Sequence, residues 1–306
     1  MTELELYYRR KIRRSQIASA ILSVIILAGY TGIVLTVKSD RPIILALVIV
    51  LSIGLAHWHY NRKYYQRLKL LHQPFPDEWI QFLVQHSLFY RNLKAEERQL
   101  FNERVLFFLS EKKIEGIDTS LDDSTLLLVA ASAIIPTFAF PYFEYPDVDE
   151  VLVYPNSFDE KFQTSRYTGT HENITGMVGN RFMNRTVILS KPDLLAGFDG
   201  TKNKNNVGVH EFVHLIDKVD GAIDGVPEFL LDNAYVLPWL HVIKEEMLKI
   251  ERGRSDINPY ALTNNAEFLA VVSEYFFNSP HEFHQKHPEL YQYMVSIFHQ
   301  NIDEKN

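Results

Sequence analysis

The chain has 306 residues, 46% of them hydrophobic, and a formal charge of -7; it can hold one large domain plus an appendage, and its acidic balance argues against nucleic-acid binding. It contains no cysteine, which excludes disulfides and thiolate-held zinc and suits a reducing compartment.

Residues 1 to 14 end in a basic cluster, Arg9, Arg10, Lys11, Arg13 and Arg14, after which Ile17 to Val37 carries no charge. That run is long enough to cross a bilayer. A short turn, Lys38 to Pro42, leads into a second apolar run, Ile43 to Trp58, flanked by Trp58, Tyr60, Tyr64 and Tyr65, whose amphipathic rings favour a membrane interface. The first run is long for the apolar region of a signal peptide, lacks a convincing small-residue cleavage site and is followed at once by another apolar run. A transmembrane helical hairpin is therefore expected, with spans about 17–37 and 42–59 inside an anchor of residues 1–69. Basic residues crowd both outer flanks, the five above and Arg62, Lys63, Arg67 and Lys69, against Lys38 and Arg41 in the turn. This distribution predicts a multi-pass cytoplasmic-membrane protein whose remaining residues, 70–306, face the cytoplasm.

From Leu70 the chain has soluble character. His72 to Asp77 contains two prolines and reads as a linker. Trp79–Leu88, Ala95–Ser110 and Asp122–Ile135 have apolar residues near a 3.6 period and are predicted helices. Asp149–Tyr154 and Arg185–Ser190 are predicted strands. Between them, the polar stretch Asn156 to Asn184 suggests a hairpin or flap, and Val187 to Ser190 is the expected edge strand for pairing with an extended substrate. The fold class expected is α+β, a mainly helical domain with a small sheet behind the N-terminal hairpin.

The stretch Asn206 to Asp217, NVGVHEFVHLID, carries the chemistry. His210 and His214 are four residues apart, so a helix stacks their Cβ atoms roughly 5–6 Å apart on one face, where both can reach one metal ion. Glu211, about 100° around the helix from His210, can lean over the open side of that ion, where a bound water would be. Val209, Phe212, Val213 and Ile216 form the adjacent buried stripe. Gly221 is expected to end the helix, and Pro238 to Ile250 to form another with Pro238 in its first turn.

Two imidazoles leave a catalytic zinc short of one protein ligand. The largely apolar segment Tyr260 to Phe277 bears two carboxylates, Glu267 and Glu274. They lie on one helical stripe about 10 Å apart, so one of them is expected to reach the ion, and chemistry alone does not choose between them. Asp217 and Glu274 are also candidates to accept a hydrogen bond from a ligand imidazole. Three further histidines, His281, His284 and His287, are spaced three and three, which suits a polar helix face better than a metal site.

The HEFVHLID motif at 210–217, together with Gly225-Val-Pro227, Tyr260 and AEFLAVVSEYFF at 266–277, resembles the Mlc titration factor A family of zinc metallopeptidases, and the likeness covers roughly the last two-thirds of the chain. It implies a zincin-like core of gluzincin type, with Zn2+ held by His210, His214 and Glu267, Glu211 as general base and Tyr260 as a hydrogen-bond donor to the oxyanion. On that likeness the expected function is a zinc-dependent peptidase on the inner face of the membrane, acting on a peptide or protein substrate through a metal-activated water. The alternative is a non-catalytic protein that sequesters a transcriptional regulator. The N-terminal anchor departs from the family pattern.

Overall fold

In the computed structural model, described for residues 2–36, 42–156, 176–178, 185–199, 204–228, 230–231 and 233–303, the chain divides into two compact units, Met1–Pro74 and Phe75–Asn306. The expected turn at 38–42 lies almost wholly outside the described residues, as does most of the expected flap between 156 and 184.

The first unit is a pair of helices, α1 (Glu3–Thr36) and α2 (Pro42–Leu70), packed against each other. Polar side chains hold the pair together at its basic end. Arg67 Nη1 donates to Tyr8 Oη at 2.6 Å, the Tyr8 and Tyr64 rings stack at 5.8 Å, and Asn61 Nδ2 donates to Ser15 Oγ at 2.8 Å. Farther along the pair many apolar side chains are exposed: Val24 is 67% exposed and Leu51 64%. Among the described residues one helical segment, 3–30, is long and apolar enough to cross a membrane. The second expected span lies on α2, where the side chains of 42, 43 and 45 fall outside the described set.

The second unit is mostly helical around a small sheet. Its helices are α3 (Asp77–His86), α4 (Leu88–Arg91), α5 (Ala95–Glu111), α6 (Asp123–Ile134), α7 (Lys191–Ala196), α8 (Val207–Asp217), α9 (Asn233–Glu251), α10 (Asn265–Asn278), α11 (Pro280–Lys286) and α12 (Pro288–Phe298). Four strands, β1 (Lys113–Gly116), β2 (Glu150–Tyr154), β3 (Gly176–Val178) and β4 (Thr186–Ser190), lie in the order β1-β2-β4-β3. The first three in that order run parallel, with Val151 opposite Val187, and β3 is antiparallel to β4. All but the first residue of both β2 and β4 are buried, as befits parallel strands covered on both faces.

Two expectations need correction. β4 is paired on both sides, by β2 and β3, so it is an inner strand, and among the described residues the edges are β1 and β3. The α9 helix begins at Asn233, putting Pro238 inside it. The proline removes a hydrogen bond to the carbonyl of Ala234, and that turn is exposed, so water can satisfy the freed oxygen.

An ionic cluster ties the segment entering α8 to the C-terminal helices. Asp256 Oδ2 accepts from Lys204 Nζ, from Lys286 Nζ at 2.7 Å and from Tyr275 Oη at 3.0 Å, while Oδ1 faces His287 Nε2 at 2.8 Å. Glu282 bonds both lysines, and Glu246 lies 3.6 Å from His287 Nδ1. Burial opposes the Asp256 charge, but these donors outweigh it and hold the carboxyl well below the usual range. His287 is also disfavoured as a cation by burial, yet Glu246 and Asp256 raise its pKa. A depressed carboxyl stabilises the fold above its unfolded value, about pH 4, and loses that effect as pH falls further; a raised histidine stabilises below about pH 6.5 and loses it as pH rises through its folded value. The thermal-stability deficit of Asp256→Asn is therefore expected to be largest between about pH 4 and 6.5 and to shrink on further acidification. Melting curves across that range check this, and a deficit independent of pH would contradict it.

Candidate metal centre

Helix α8 starts where Asn206 turns its side-chain oxygen onto the backbone N–H of Val209, 3.1 Å away, the capping bond that asparagine supplies well. Its apolar stripe is fully inside the fold: Val209, Phe212, Val213 and Ile216 are each 0–1% exposed, and the Phe212 ring meets Tyr145 at 5.0 Å and Phe108 at 5.7 Å. The helix packs against α6, β3, β4 and, most extensively, α10. Close approach to α6 depends on Gly208, where an added Cβ would lie 2.0 Å from Ser132 Oγ and 2.7 Å from Ser132 Cβ. The helix stops at Asp217, a single 3₁₀ turn follows, and Gly221 takes a left-handed φ of 105°, matching the stop expected there.

The opposite wall is α10. Asn264 caps it by accepting from the Glu267 backbone N–H at 2.9 Å, so Glu267 sits in the first turn. Its carboxylate meets the α8 histidines: Glu267 Oε2 is 2.9 Å from His210 Nε2 and 3.5 Å from His214 Nε2, and the two Nε2 atoms are 3.1 Å apart. His210, His214 and Glu267 each offer a ligand atom, and these atoms all lie within 4.8 Å of one another. Among the described residues no other group of three has that arrangement. Glu274 reaches the other nitrogen of His210, Oε1 to Nδ1 at 2.7 Å, and its second oxygen accepts from the Asn206 backbone N–H.

The donor set fits a cation. Glu274 as a carboxylate can only accept, so the His210 proton belongs on Nδ1 and Nε2 presents a lone pair. That lone pair, the His214 Nε2 and a carboxylate oxygen converge on one point, where only a positive charge relieves their repulsion. The His214 Nδ1 atom is buried without a hydrogen-bond partner among the described residues. Without a metal that positive charge is a proton: burial alone would lower the His210 pKa, but Glu267 and Glu274 raise it well above the ordinary value. Burial works against the Glu267 charge too, and the two imidazoles nonetheless bring its pKa down to about 2.

Glu211 is 4% exposed. Burial raises its carboxyl pKa, against the pull of His210 and His214. Tyr260, on a 3₁₀ turn over Pro259–Leu262, is 48% exposed with its ring 6.1 Å from that of His210. Asp217 is buried; one oxygen accepts from the Gly225 N–H at 2.8 Å and the other has no hydrogen-bond partner among the described residues. Gly225 there has a φ of 81° with the Asn265 carbonyl oxygen 2.3 Å from where a Cβ would be, so this loop is closed tightly beneath α10. Three other histidines of the second unit have partners of their own. His281 and His284 turn their Nδ1 atoms to Asp303, at 3.0 and 2.7 Å, and His241 pairs with Glu245 on the surface. Sequence reasoning did not single out Gly208 or the caps Asn206 and Asn264; a glycine two residues before the first histidine was the available signal for close helix contact.

The model of the family described as glucose-regulated metallo-peptidase M90 matches residues 57–299. The chain belongs to this M90 metallopeptidase family. An uncharacterized protein of Synechocystis sp. is 31% identical over 266 residues, 84% of this chain and 96% of its own length. Mlc titration factor A of Salmonella agona is 26% identical over 225 residues, covering 70% and 83% of the two chains, and that of Escherichia fergusonii strain ATCC 35469 is 28% identical over 221 residues, covering 69% and 82%. Membership in M90 implies a metal ion, and the His210–His214–Glu267 group can hold one.

Gly208→Ala is expected to destabilise the protein by about 1–3 kcal/mol, because the new methyl overpacks the α8–α6 contact. Denaturant midpoints report this, and an unchanged midpoint would show that the contact can yield.

Proposed function

We propose that the protein is a zinc-dependent peptidase that hydrolyses peptide bonds with an activated water. The observation that carries this reading is the convergence of His210 Nε2, His214 Nε2 and Glu267 Oε2 on one point beside the buried carboxylate of Glu211. Two imidazoles and one carboxylate are a ligand set characteristic of catalytic zinc, which keeps a further position for water or substrate. A bound zinc supplies Lewis acidity toward a carbonyl oxygen and toward that water.

The chain's own residues divide the remaining work. Glu211 takes the proton of the attacking water and returns it to the leaving amine; a raised carboxyl pKa brings it nearer to the working pH for both transfers. Tyr260, on the exposed rim beside His210, donates its phenolic O–H to the oxygen that gains charge as the carbonyl becomes tetrahedral. An extended peptide can lie along β3, which ends the strand order and packs beside α8; backbone pairing there would hold many sequences alike.

The N-terminal unit, on this reading, is a two-helix membrane anchor with spans near 17–37 and 42–59, leaving the peptidase domain of 70–306 on the cytoplasmic side. The exposed apolar faces of α1 and α2 and the arginines and lysines on both flanks support it. A second reading comes from relatives whose name, Mlc titration factor A, denotes the titration of Mlc: the chain would bind a regulatory protein without cutting it.

Glu211→Gln separates the two. It is expected to keep metal and fold while losing cleavage of peptide substrates by at least 10²–10⁴-fold, measured with an aminopeptidase and endopeptidase panel; undiminished cleavage removes Glu211 from the role of base. Because the chain has no cysteine, topology can be read with single introduced thiols. Ser39→Cys is expected to react with an impermeant maleimide from outside intact cells and Lys69→Cys only after lysis; the reverse pattern, or labelling of both from outside, would contradict the orientation.

A further inference from the structure

We propose that Glu274 is the positioning residue of the metal centre: it fixes the tautomer and tilt of His210 and fastens that ring to the start of its own helix. Glu267 and Glu274 are seven residues apart on α10, two turns along one stripe, and their oxygens face opposite nitrogens of the same imidazole, at 2.9 and 2.7 Å. Glu274 is 7% exposed and Asn206 1%, so an unsatisfied carboxylate here would be costly. Neither of its oxygens is left over. One takes the His210 Nδ1 proton and the other the backbone N–H of Asn206, the cap of α8.

Two acceptor atoms are required, and among the side chains only a carboxylate offers two without bringing a donor. A glutamine of the same shape has one oxygen. If that oxygen serves Asn206, the amide nitrogen faces His210 Nδ1 and drives the ring proton to Nε2, into the space the cation needs. If it serves His210, two donors oppose each other at the cap. The two ligand imidazoles are thus unequally prepared, since His214 Nδ1 has no hydrogen-bond partner among the described residues. His210 arrives preset, and His214 is the ring left to adjust.

This inference rests on His210 being a ligand, as in the proposed peptidase. It is tested on the full-length protein by zinc competition against a chelating dye and by the visible spectrum of the cobalt-loaded form. Glu274→Gln is expected to weaken zinc binding about 10–100-fold and to change the cobalt bands. Asn206→Ala is the control: it removes the side-chain cap of α8 but keeps the backbone N–H and the Glu274–His210 bond, so it should lower the melting temperature while leaving affinity within about twofold, well short of the loss expected at Glu274. Affinity unchanged in Glu274→Gln would overturn the inference, as would an equal loss in Asn206→Ala, which would mean that affinity only follows helix stability. Should Glu274→Gln fail to fold, Glu274→Asp, with both oxygens on a shorter arm, is held to the same tenfold criterion. A wild-type chain that binds no cation would instead overturn the metal reading beneath it.

Discussion

Three carboxylates, Glu211, Glu267 and Glu274, crowd against His210 and His214, and all of these side chains are buried except Glu267, which is half-buried. Concentrating that much negative charge in the interior is unfavourable unless a positive charge lies among the groups. The packing of α10 along α8 makes the arrangement possible, because one helix supplies both imidazoles and the other supplies an oxygen to each face of one of them. Much of the second unit can be understood as holding those helices at that distance. Gly208 lets α8 settle onto α6, Asn206 and Asn264 cap the two helices, and Asp217 and Gly225 close the loop below.

The ionic cluster around Asp256 supports the same geometry from behind. Lys204 lies two residues before the α8 cap, Tyr275 follows Glu274, and His287 joins α11 to α12, so one aspartate links the entry to α8, the back of α10 and the C-terminal helices. The segment 252–258 that carries Asp256 leads directly to the turn bearing Tyr260. Rigidity at the centre is thus distributed over several elements, while on the rim Tyr260 is exposed and β3 ends the strand order among the described residues.

The histidine pair and its helix were legible in the sequence because helical periodicity is local: the i, i+4 spacing and the apolar stripe fix which side chains share a face. Family membership was legible from the same residues. The choice between Glu267 and Glu274 was not readable from chemistry alone and came only from resemblance, since it depends on how far α10 is displaced along α8, which is a tertiary quantity. Sheet order escaped for a similar reason. β2 and β4 read alike as apolar runs, and nothing in either says which neighbour lies beyond it. β1, Lys113 to Gly116, has alternating charge and a glycine, too weak a strand signal to stand out, and the early start of α9 was hidden by Pro238, whose usual place is a first turn.

We propose that one cation is held by His210, His214 and Glu267. Anomalous diffraction at the zinc absorption edge from zinc-loaded crystals tests it most directly. The predicted result is a single strong peak about 2.0–2.2 Å from His210 Nε2, His214 Nε2 and a Glu267 oxygen, with a further position open to water. A peak elsewhere, or a map with none between α8 and α10, would contradict it.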